Sequence, residues 1–323
     1  MSALDIPVAV IIPCYRVKAQ ILPVLKALPS FVGKIYVIDD CCPEKSGEFV
    51  KTHCTDPRVK IIFHEHNKGV GGAIITGFQI ALAEGAVILV KVDGDGQMRL
   101  DYLEDLIAPL QKGIADFSKG NRFFDLDALR DMPLIRRVGN FGLSLLTKFA
   151  SGNWHISDPT NGFFAIHESS LRRLSLTKLD SRYFFETSLL IQLNIIRALL
   201  VDVPIPAYYG NENSSLNIGR AIFEFPRKLA AGFFRRVGWR YFIYDINAVS
   251  VFLVLGCLFT FVGAAFGLER YIAGARTHTF QSAGTVALSF LPIILGFMMM
   301  LQAVLLDIID APRVALQNMC RRR

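Results

Sequence analysis

Two aspartates separated by one glycine follow an apolar segment, in the sequence KVDGDGQMR at residues 91–99. The preceding residues 86–90 are apolar and mostly β-branched, which is typical of a buried strand in a parallel sheet. Asp93 and Asp95 would then follow the carboxyl end of that strand, where open α/β sheets bind ligands. With the amide of Gln97 they offer hard oxygen ligands suited to Mg²⁺ or Mn²⁺. A solvated turn explains the same residues, so the rest of the chain has to decide.

Apolar segments alternate with helical stretches along the first part of the chain, which predicts βαβ units and a parallel sheet. These segments are Val8–Ile12, Lys34–Ile38, Val59–Phe63 and Ala86–Val92. Each ends in polar residues, at 13–16, 39–40, 64–68 and 93–97. Because the carboxyl ends of parallel strands share one edge of a sheet, we expect these residues to surround a nucleotide-sized crevice. Further along, residues 117–122 predict another strand with a basic residue at its end, and a helix is predicted from Phe184 to Leu200.

A glycine-rich segment follows the third predicted strand and opens a helix. It reads NKGVGGA at residues 67–73, and glycines at such a position allow the backbone to approach a phosphate group closely. No GK[ST] follows, which excludes an ATP-type P-loop, and no GxGxxG follows the first strand, which argues against a dinucleotide site.

The apolar residues are concentrated towards the C-terminal end. Of the 323 residues 52% are hydrophobic, and residues 246–268 and 279–306 contain no Asp, Glu, Lys or Arg. A membrane-spanning helix needs only about 20 residues, so both segments are predicted to cross a membrane. Small residues at Gly256, Gly263 and Ala264 would let these spans pack against those of other copies, and a homo-oligomer is therefore a further expectation.

Basic residues flank the two predicted spans. Those before the first span are Arg220, Arg227, Lys228, Arg235, Arg236 and Arg240, and those after the second are Arg313 and Arg321 to Arg323. The loop between the spans has only Arg270 and Arg276, so the positive-inside rule predicts a cytoplasmic N-terminal domain and C-terminal tail at the inner membrane. The net charge of +7 then indicates anionic lipid headgroups as partners, and no nucleic acid. Arginines alternating with Phe, Leu and Trp over 223–239 predict an amphipathic helix lying on the membrane.

Eight motifs follow one another in the order of a known family. They are VAVIIPCYR, VIDDCCPE, NKGVGGAIITG, VKVDGDGQ, GNRF, DPTNGFFAI, FETSLL and VPIPAYYGNENSSL. Together they resemble family 2 glycosyltransferases of the polyprenyl-phosphate type, the group of dolichol-phosphate mannose synthase and the undecaprenyl-phosphate sugar transferases. The resemblance covers residues 8–220 and implies a GT-A fold, a Rossmann-like, mostly parallel α/β sheet, followed by two C-terminal transmembrane helices.

The resemblance, together with the hydropathy and charge of the C-terminal part, predicts the domains and partners. The chain would comprise a cytoplasmic GT-A domain at 1–220, an amphipathic juxtamembrane segment at 221–244, a two-helix anchor at 245–310 and a basic tail at 311–323. The substrates would be a UDP- or GDP-hexose and a polyprenyl phosphate, undecaprenyl or dolichyl, with Mg²⁺ or Mn²⁺ as cofactor.

Individual roles carry over by position. Nucleotide-sugar binding falls to Pro13, Tyr15, Asp39, Asp40, Asn67, Gly69 and Asp93, and the metal to Asp93, Asp95 and Gln97. The acceptor phosphate falls to Arg122, Arg136 and Arg137, and the sugar side to Asp158, Asn161 and Glu186. Asp95, Arg122 and Arg136 would be the catalytic residues.

The sequence departs from the family pattern near the expected base pocket. Arg16-Val17 stands where the family often has Asn-Glu, and Cys41-Cys42 where it often has Gly-Ser. The nucleotide base is therefore left open.

Two other functions remain as alternatives. A processive polysaccharide synthase generally carries more spans and a QxxRW-type motif, neither of which occurs here. A catalytically inactive membrane scaffold finds its only support in the Cys41-Cys42 substitution.

Overall fold

The computed structural model describes residues 6–124, 134–206 and 218–320. The strands are β1 (Val8–Cys14), β2 (Lys34–Asp39), β3 (Val59–Phe63), β4 (Ile88–Lys91), β5 (Phe117–Asn121), β6 (Phe164–His167) and β7 (Leu200–Pro204). The helices of the first part are α1 (Ile21–Ala27), α2 (Ser46–His53), α3 (Val70–Ala83), α4 (Leu103–Gln111), α5 (Leu134–Ser151), α6 (Glu168–Leu171) and α7 (Phe185–Ile195). They are followed by α8 (Ile218–Gly238), α9 (Ala248–Thr277), α10 (Ala283–Ile309) and α11 (Leu316–Cys320).

The described strands form one sheet in the order β3-β2-β1-β4-β6-β5-β7. Strands β3, β2, β1 and β4 are parallel to one another, β6 runs antiparallel to both β4 and β5, and β7 is parallel to β5. This confirms the mostly parallel α/β sheet, which two apolar helices follow. In the parallel half, the carboxyl ends of all strands lie at the same edge of the sheet. This is the arrangement expected from the polar residues that follow the predicted strands.

Two strands were not predicted. The helix expected from Phe184 to Leu200 ends at Ile195, and β7 begins at Leu200. Arg197 adopts a left-handed backbone conformation, with a φ of 58°, and reverses the chain between the two elements. Apolar residues lie directly on both sides of Arg197, at 195–196 and at 198–201, so hydrophobic periodicity did not separate helix from strand. Strand β6 has only four residues, too few to show a period of two.

The sheet has a hydrophobic core on each face because the side chains of a strand alternate. Val8, Val10 and Ile12 of β1 are buried against α1 and α4, and Ala9 and Ile11 of the same strand are buried on the face of α3 and α7. Both cores extend under the polar carboxyl edge and hold its loops on rigid elements.

Helix α3 lies unusually close to the sheet. A Cβ atom at Gly77 would overlap the Cγ2 methyl group of Ile11 and lie 3.0 Å from Ile11 Cγ1. The glycine therefore sets how near the N-terminus of α3, with its glycine-rich loop, comes to β1.

The described chain divides into two compact units. One comprises residues 1–236 together with 312–323, and the other comprises residues 237–311. The boundary lies within the predicted amphipathic segment, and the predicted basic tail belongs to the first unit.

Asp116 joins the residues after α10 to the first unit. Its buried carboxylate accepts hydrogen bonds from the backbone N–H groups of Leu199, Leu316 and Gln317, at 2.9, 2.8 and 3.1 Å. The Gln317 amide also donates to the carbonyl oxygens of Leu110 and Ala115. These residues after α10 are thus an internal part of the sheet domain and not a loose extension.

The second unit contains α9 and α10, which are long and apolar enough to cross a membrane. They pack antiparallel at their small residues. A Cβ atom at Gly256 would lie 2.9 Å from the Gly296 carbonyl oxygen, and one at Gly263 would lie 2.7 Å from that of Ser289. Gly256 and Gly263 therefore pack against α10 of the same chain. They no longer support association between copies, which remains a prediction.

Gly77→Ala is expected to lower the free energy of unfolding by about 1–3 kcal/mol, because the added methyl group forces α3 away from Ile11. Thermal and denaturant unfolding of the detergent-solubilised protein measure this change. Gly142→Ala on α5 is the matched control, since an added Cβ meets no atom within 4 Å there and alanine favours helix. Equal stability of the two variants would contradict the close approach.

Candidate active site

A cavity of about 450 Å³ lies at the carboxyl edge of the parallel strands. Eight of the residues expected to bind substrate or metal line it: Pro13, Tyr15, Asp40, Asn67, Gly69, Asp93, Asp95 and Glu186. They come from the ends of β1, β2, β3 and β4 and from the start of α7. The crevice expected from the sequence therefore exists, and it has all four of the predicted strand ends in its wall.

Asp40 fixes the glycine-rich loop to the end of β2. Its carboxylate accepts hydrogen bonds from the backbone N–H groups of Lys68 and Gly69, at 2.8 and 2.7 Å, and lies 2.7 Å from Nδ1 of His64. Gly69 has a φ of +84°, and an added Cβ would lie 2.5 Å from the Ser181 carbonyl oxygen. The loop thus needs glycine both for its backbone conformation and for its contact with residue 181.

Asp39 has a structural position behind this wall. Its carboxylate accepts hydrogen bonds from the backbone N–H groups of Cys42 and Gly47, at 2.7 and 2.6 Å, and Asp39 is not among the residues that line the cavity. The Cys42 sulfur in turn accepts a hydrogen bond from the Arg16 N–H at 3.1 Å. The two departures from the family pattern thus contact each other and join the loops after β1 and β2.

Lys91 is a buried cation at the floor of the cavity. Its ammonium group lies 2.8 Å from the Asp93 carboxylate and 3.3 Å from that of Glu186. Burial by itself lowers the pKa of Lys91, but the two carboxylates outweigh it and the pKa is raised. The side chain is therefore charged at neutral pH, and it links the end of β4 to α7.

Asp93 and Asp95 are suited to a divalent cation. Both line the same cavity, and Asp95 Oδ1 is oriented by the backbone N–H of Gln97 at 3.0 Å. In the part of the chain that the structure describes, no three His, Cys, Asp or Glu residues cluster closely enough to hold a metal alone. Two carboxylates are what Mg²⁺ uses when substrate phosphates supply further oxygens. Gln97 itself is not among the lining residues.

The motif DPTNG is fastened to the end of β5. Arg122 binds Asp158 with two hydrogen bonds, from Nε at 2.7 Å and from Nη2 at 3.1 Å. The Asn161 amide donates to the Gly120 carbonyl oxygen at 2.7 Å, and Lys119 Nζ donates to the carbonyl oxygen of Asn161. Arg122, Asp158 and Asn161 are therefore brought together beside the cavity, but none of them is among its lining residues.

The remaining predicted site residues are Arg136 and Arg137. They lie in α5, and their side chains fall outside the described residues. Their assignment to the acceptor phosphate stays a prediction.

The sequence analysis missed three lining residues with a charged or phenolic side chain, namely Lys91, Arg182 and Tyr183. A lysine inside a buried strand and directly before the paired aspartates is a signal that could have identified Lys91, because buried lysines are rare unless paired. Arg182 and Tyr183 precede α7 in an irregular loop, and no periodicity indicates where such a loop points.

A second hollow, of about 630 Å³, has Asp93 in its wall as well. Its lining is mainly apolar and comes from α1 and the residues after it, including Pro23, Val24 and Phe31, and from residues 92–104 after β4. The glycine-rich loop and both aspartates, which are suited to a phosphorylated ligand and its metal ion, line the smaller cavity.

A mixed α/β sheet with a glycine-rich loop and an aspartate pair at its carboxyl edge is typical of proteins that bind phosphorylated ligands at that edge. Residues 9–175 match the family described as Glycosyl transferase family 2. The chain belongs to this family and is a glycosyltransferase.

Relatives with assigned activities come from several organisms. The chain is 31% identical over 213 residues to a UDP-N-acetylglucosamine–dolichyl-phosphate N-acetylglucosaminyltransferase of Methanococcus voltae, covering 62% of this chain and 84% of the relative. It is 25% identical over 254 residues to a dolichol-phosphate mannosyltransferase of Pyrococcus furiosus, covering 77% and 68%. It is 28% identical over 208 residues to a polyprenol monophosphomannose synthase of Mycolicibacterium smegmatis, covering 61% and 75%.

The fold is similar to that of glucosyl-3-phosphoglycerate synthase from Mycobacterium tuberculosis, solved with Mn²⁺, UDP-glucose and phosphoglyceric acid. The TM-score is 0.52 at 16% identity, covering 72% of this chain and 80% of the other. At that identity the likeness concerns the fold alone.

The buried Lys119 makes stability depend on pH. Burial, the largest influence, lowers the pKa of Lys119 to about 8, although Glu186 and Asp158 act to raise it. In the unfolded chain a lysine has a pKa of about 10.4, so between these values the unfolded state binds more protons. The stability of the wild type is therefore expected to rise, relative to Lys119→Met, between about pH 8 and 10.4.

Unfolding of the two proteins in detergent across this pH range measures the difference. Lys112→Met removes an exposed lysine and controls for the loss of one charge. A constant difference between wild type and Lys119→Met would show that Lys119 keeps its proton in the folded state.

Proposed function

We propose that the protein transfers a sugar from a nucleotide-diphosphate sugar to a polyprenyl phosphate, either undecaprenyl or dolichyl phosphate, at the cytoplasmic face of a membrane. The observation that carries the proposal is the single cavity shared by Asp93, Asp95 and the Asp40-bound glycine loop. Relatives named for dolichyl-phosphate and polyprenol substrates support the acceptor class.

The donor would be a UDP- or GDP-hexose. Its diphosphate would lie between the glycine loop and the aspartates, with Pro13, Tyr15 and Asn67 towards the nucleoside. Asp93 and Asp95 would hold Mg²⁺ or Mn²⁺, which would stabilise the charge that develops on the diphosphate leaving group. The support for a metal in this chain is the pair of carboxylates that lines the cavity, Asp93 and Asp95.

The acceptor phosphate is already an anion at neutral pH and needs no general base. One of its oxygens would form a bond to C1 of the sugar while the bond from C1 to the diphosphate breaks, and the electron pair leaves with the nucleoside diphosphate. Attack from the face opposite the nucleotide inverts C1. Arg122, held by Asp158, with Arg136 and Arg137, would bind the acceptor phosphate, since guanidinium groups match its geometry.

The membrane assignment rests on α9 and α10 and on their basic flanks. Both flanks of this helix pair belong to the first unit, so two crossings would return the chain to the side on which the catalytic residues lie. The excess of arginine on that side supports a cytoplasmic catalytic domain at the inner membrane.

The test of the whole proposal is transfer of label from a panel of UDP- and GDP-sugars to a polyprenyl phosphate, with Mg²⁺, Mn²⁺ or EDTA. One labelled lipid carrying a single sugar, lost with EDTA, is the expected product. A polymer would favour a polysaccharide synthase. Absence of product from folded protein that binds no nucleotide would favour an inactive scaffold.

Asp95→Ala is expected to lower the rate of transfer by a factor of about 100 or more, because the metal and diphosphate lose a ligand whose charge is fixed in place. Asp105→Asn is the matched control, since Asp105 is exposed on α4 and outside the cavity lining. Rates measured with saturating Mn²⁺ and unchanged unfolding temperatures separate the metal role from misfolding. Normal transfer by Asp95→Ala would exclude that role.

A further inference from the structure

The loop of residues 180–184 carries two side chains into the donor cavity. Arg182 and Tyr183 line the cavity beside Asn67 and Gly69. The Gly72 N–H donates a hydrogen bond to the Ser181 carbonyl oxygen at 3.0 Å. The position of this loop therefore determines both one wall of the cavity and one contact of the glycine-rich loop.

Asp180 holds this loop in shape. Its Oδ1 accepts a hydrogen bond from the Arg182 N–H at 2.9 Å, and its own N–H donates to Ser188 Oγ of α7 at 2.9 Å. The other carboxylate oxygen, Oδ2, lies 2.6 Å from the ammonium group of Lys228. Lys228 belongs to α8, the helix that precedes the first candidate span.

Apolar contacts reinforce the ion pair between α8 and the loop. The Phe225 and Phe184 rings meet edge to face, with their centroids 5.5 Å apart, and Lys228 Nζ lies 5.7 Å from the Phe184 ring centroid. Leu229 is buried in the same cluster as Phe184 and Ile191. One turn of α8 therefore contacts the active-site loop and α7 together.

We propose that Lys228 is a positioning residue for the donor site. By binding Asp180 it fixes the loop that presents Arg182 and Tyr183 to the nucleotide diphosphate, so α8 is part of the donor-site support and not only a link to the membrane. The proposal rests on the proposed function in so far as the ligand of the cavity is a nucleotide diphosphate.

The geometry explains why a lysine is needed at this place. The two side chains are only partly exposed, with 36% and 19% of Lys228 and Asp180 accessible, and the carboxylate already accepts a backbone N–H on its other oxygen. Loss of the ammonium group would leave Asp180 without its counter-charge and would free the loop to move towards or away from the glycine-rich loop.

The experiment compares Lys228→Met, Lys228→Arg and Arg227→Met in the full chain reconstituted in lipid nanodiscs. The probe is UDP or GDP with Mn²⁺, whichever binds the wild type more tightly. Lys228→Met is expected to weaken binding about fivefold, the size that a partly exposed ion pair supports. It is also expected to speed amide hydrogen exchange at residues 180–184, without a change in unfolding temperature.

Lys228→Arg keeps the charge and is expected to restore binding to within about twofold of the wild type. Arg227→Met removes the neighbouring charge, which is exposed on α8, and is expected to leave both measurements unchanged. In the double variant Asp180→Asn/Lys228→Met, the loss of nucleotide binding is expected to be smaller than the sum of the two single losses, because both substitutions remove the same interaction.

Unchanged binding and unchanged hydrogen exchange in Lys228→Met would overturn the proposal. Equal effects of Arg227→Met and Lys228→Met would also overturn it, because a general attraction between α8 and lipid would then account for both. If the wild type binds neither nucleotide, the proposed function fails. In that case amide hydrogen exchange at residues 180–184 in Lys228→Met still decides whether Lys228 positions the loop.

Discussion

The ion pairs of the buried Lys91 are the interaction on which the active-site architecture depends. A buried ammonium group is tolerated only when it is paired, and this one is paired with carboxylates from two elements, Asp93 after β4 and Glu186 in α7. The requirement fixes α7 against the end of the central strand. Through Ser188 and Phe184, α7 in turn anchors the loop before it and the helix α8.

The two halves of the sheet contribute different chemistry to one edge. The parallel half supplies acidic side chains and backbone N–H groups, arranged by the shared direction of its strands. Strand β6 is antiparallel to β5, and the DPTNG segment that precedes β6 therefore lies beside the end of β5. There Arg122, the residue after β5, binds Asp158, and Lys119 of β5 donates a hydrogen bond to the Asn161 carbonyl oxygen. Carboxylates and basic side chains are thus both present at this edge, as the proposed transfer between two phosphorylated substrates would require.

Local patterns in the sequence were sufficient for the parallel sheet, the apolar helices and seven of the cavity residues, whereas Glu186 was predicted only from the family resemblance. Strand ends are marked by polar residues after apolar ones, and that signal located Pro13, Asp40, Asn67 and Asp93. It did not distinguish Asp39 from Asp40, although one carboxylate binds its own loop and the other binds the glycine-rich loop. The difference arises from which neighbouring loop each side chain meets, and tertiary contacts of this kind leave no periodic trace. Arg182 and Tyr183 were missed for the same reason.

The hydrogen bonds of Asp116 have a consequence for how the protein is made. Two of the three backbone N–H groups that donate to this carboxylate belong to Leu316 and Gln317. The ribosome adds these residues only after both apolar helices. Until then the sheet domain lacks two of the three backbone donors that bind the Asp116 carboxylate in the complete fold, and with them part of its stabilisation. Completion of the catalytic unit is therefore coupled to biosynthesis of the whole helix pair. A chain interrupted within that pair would lack both of these donors and also Leu316, which is buried in the core on the face of α3 and α7.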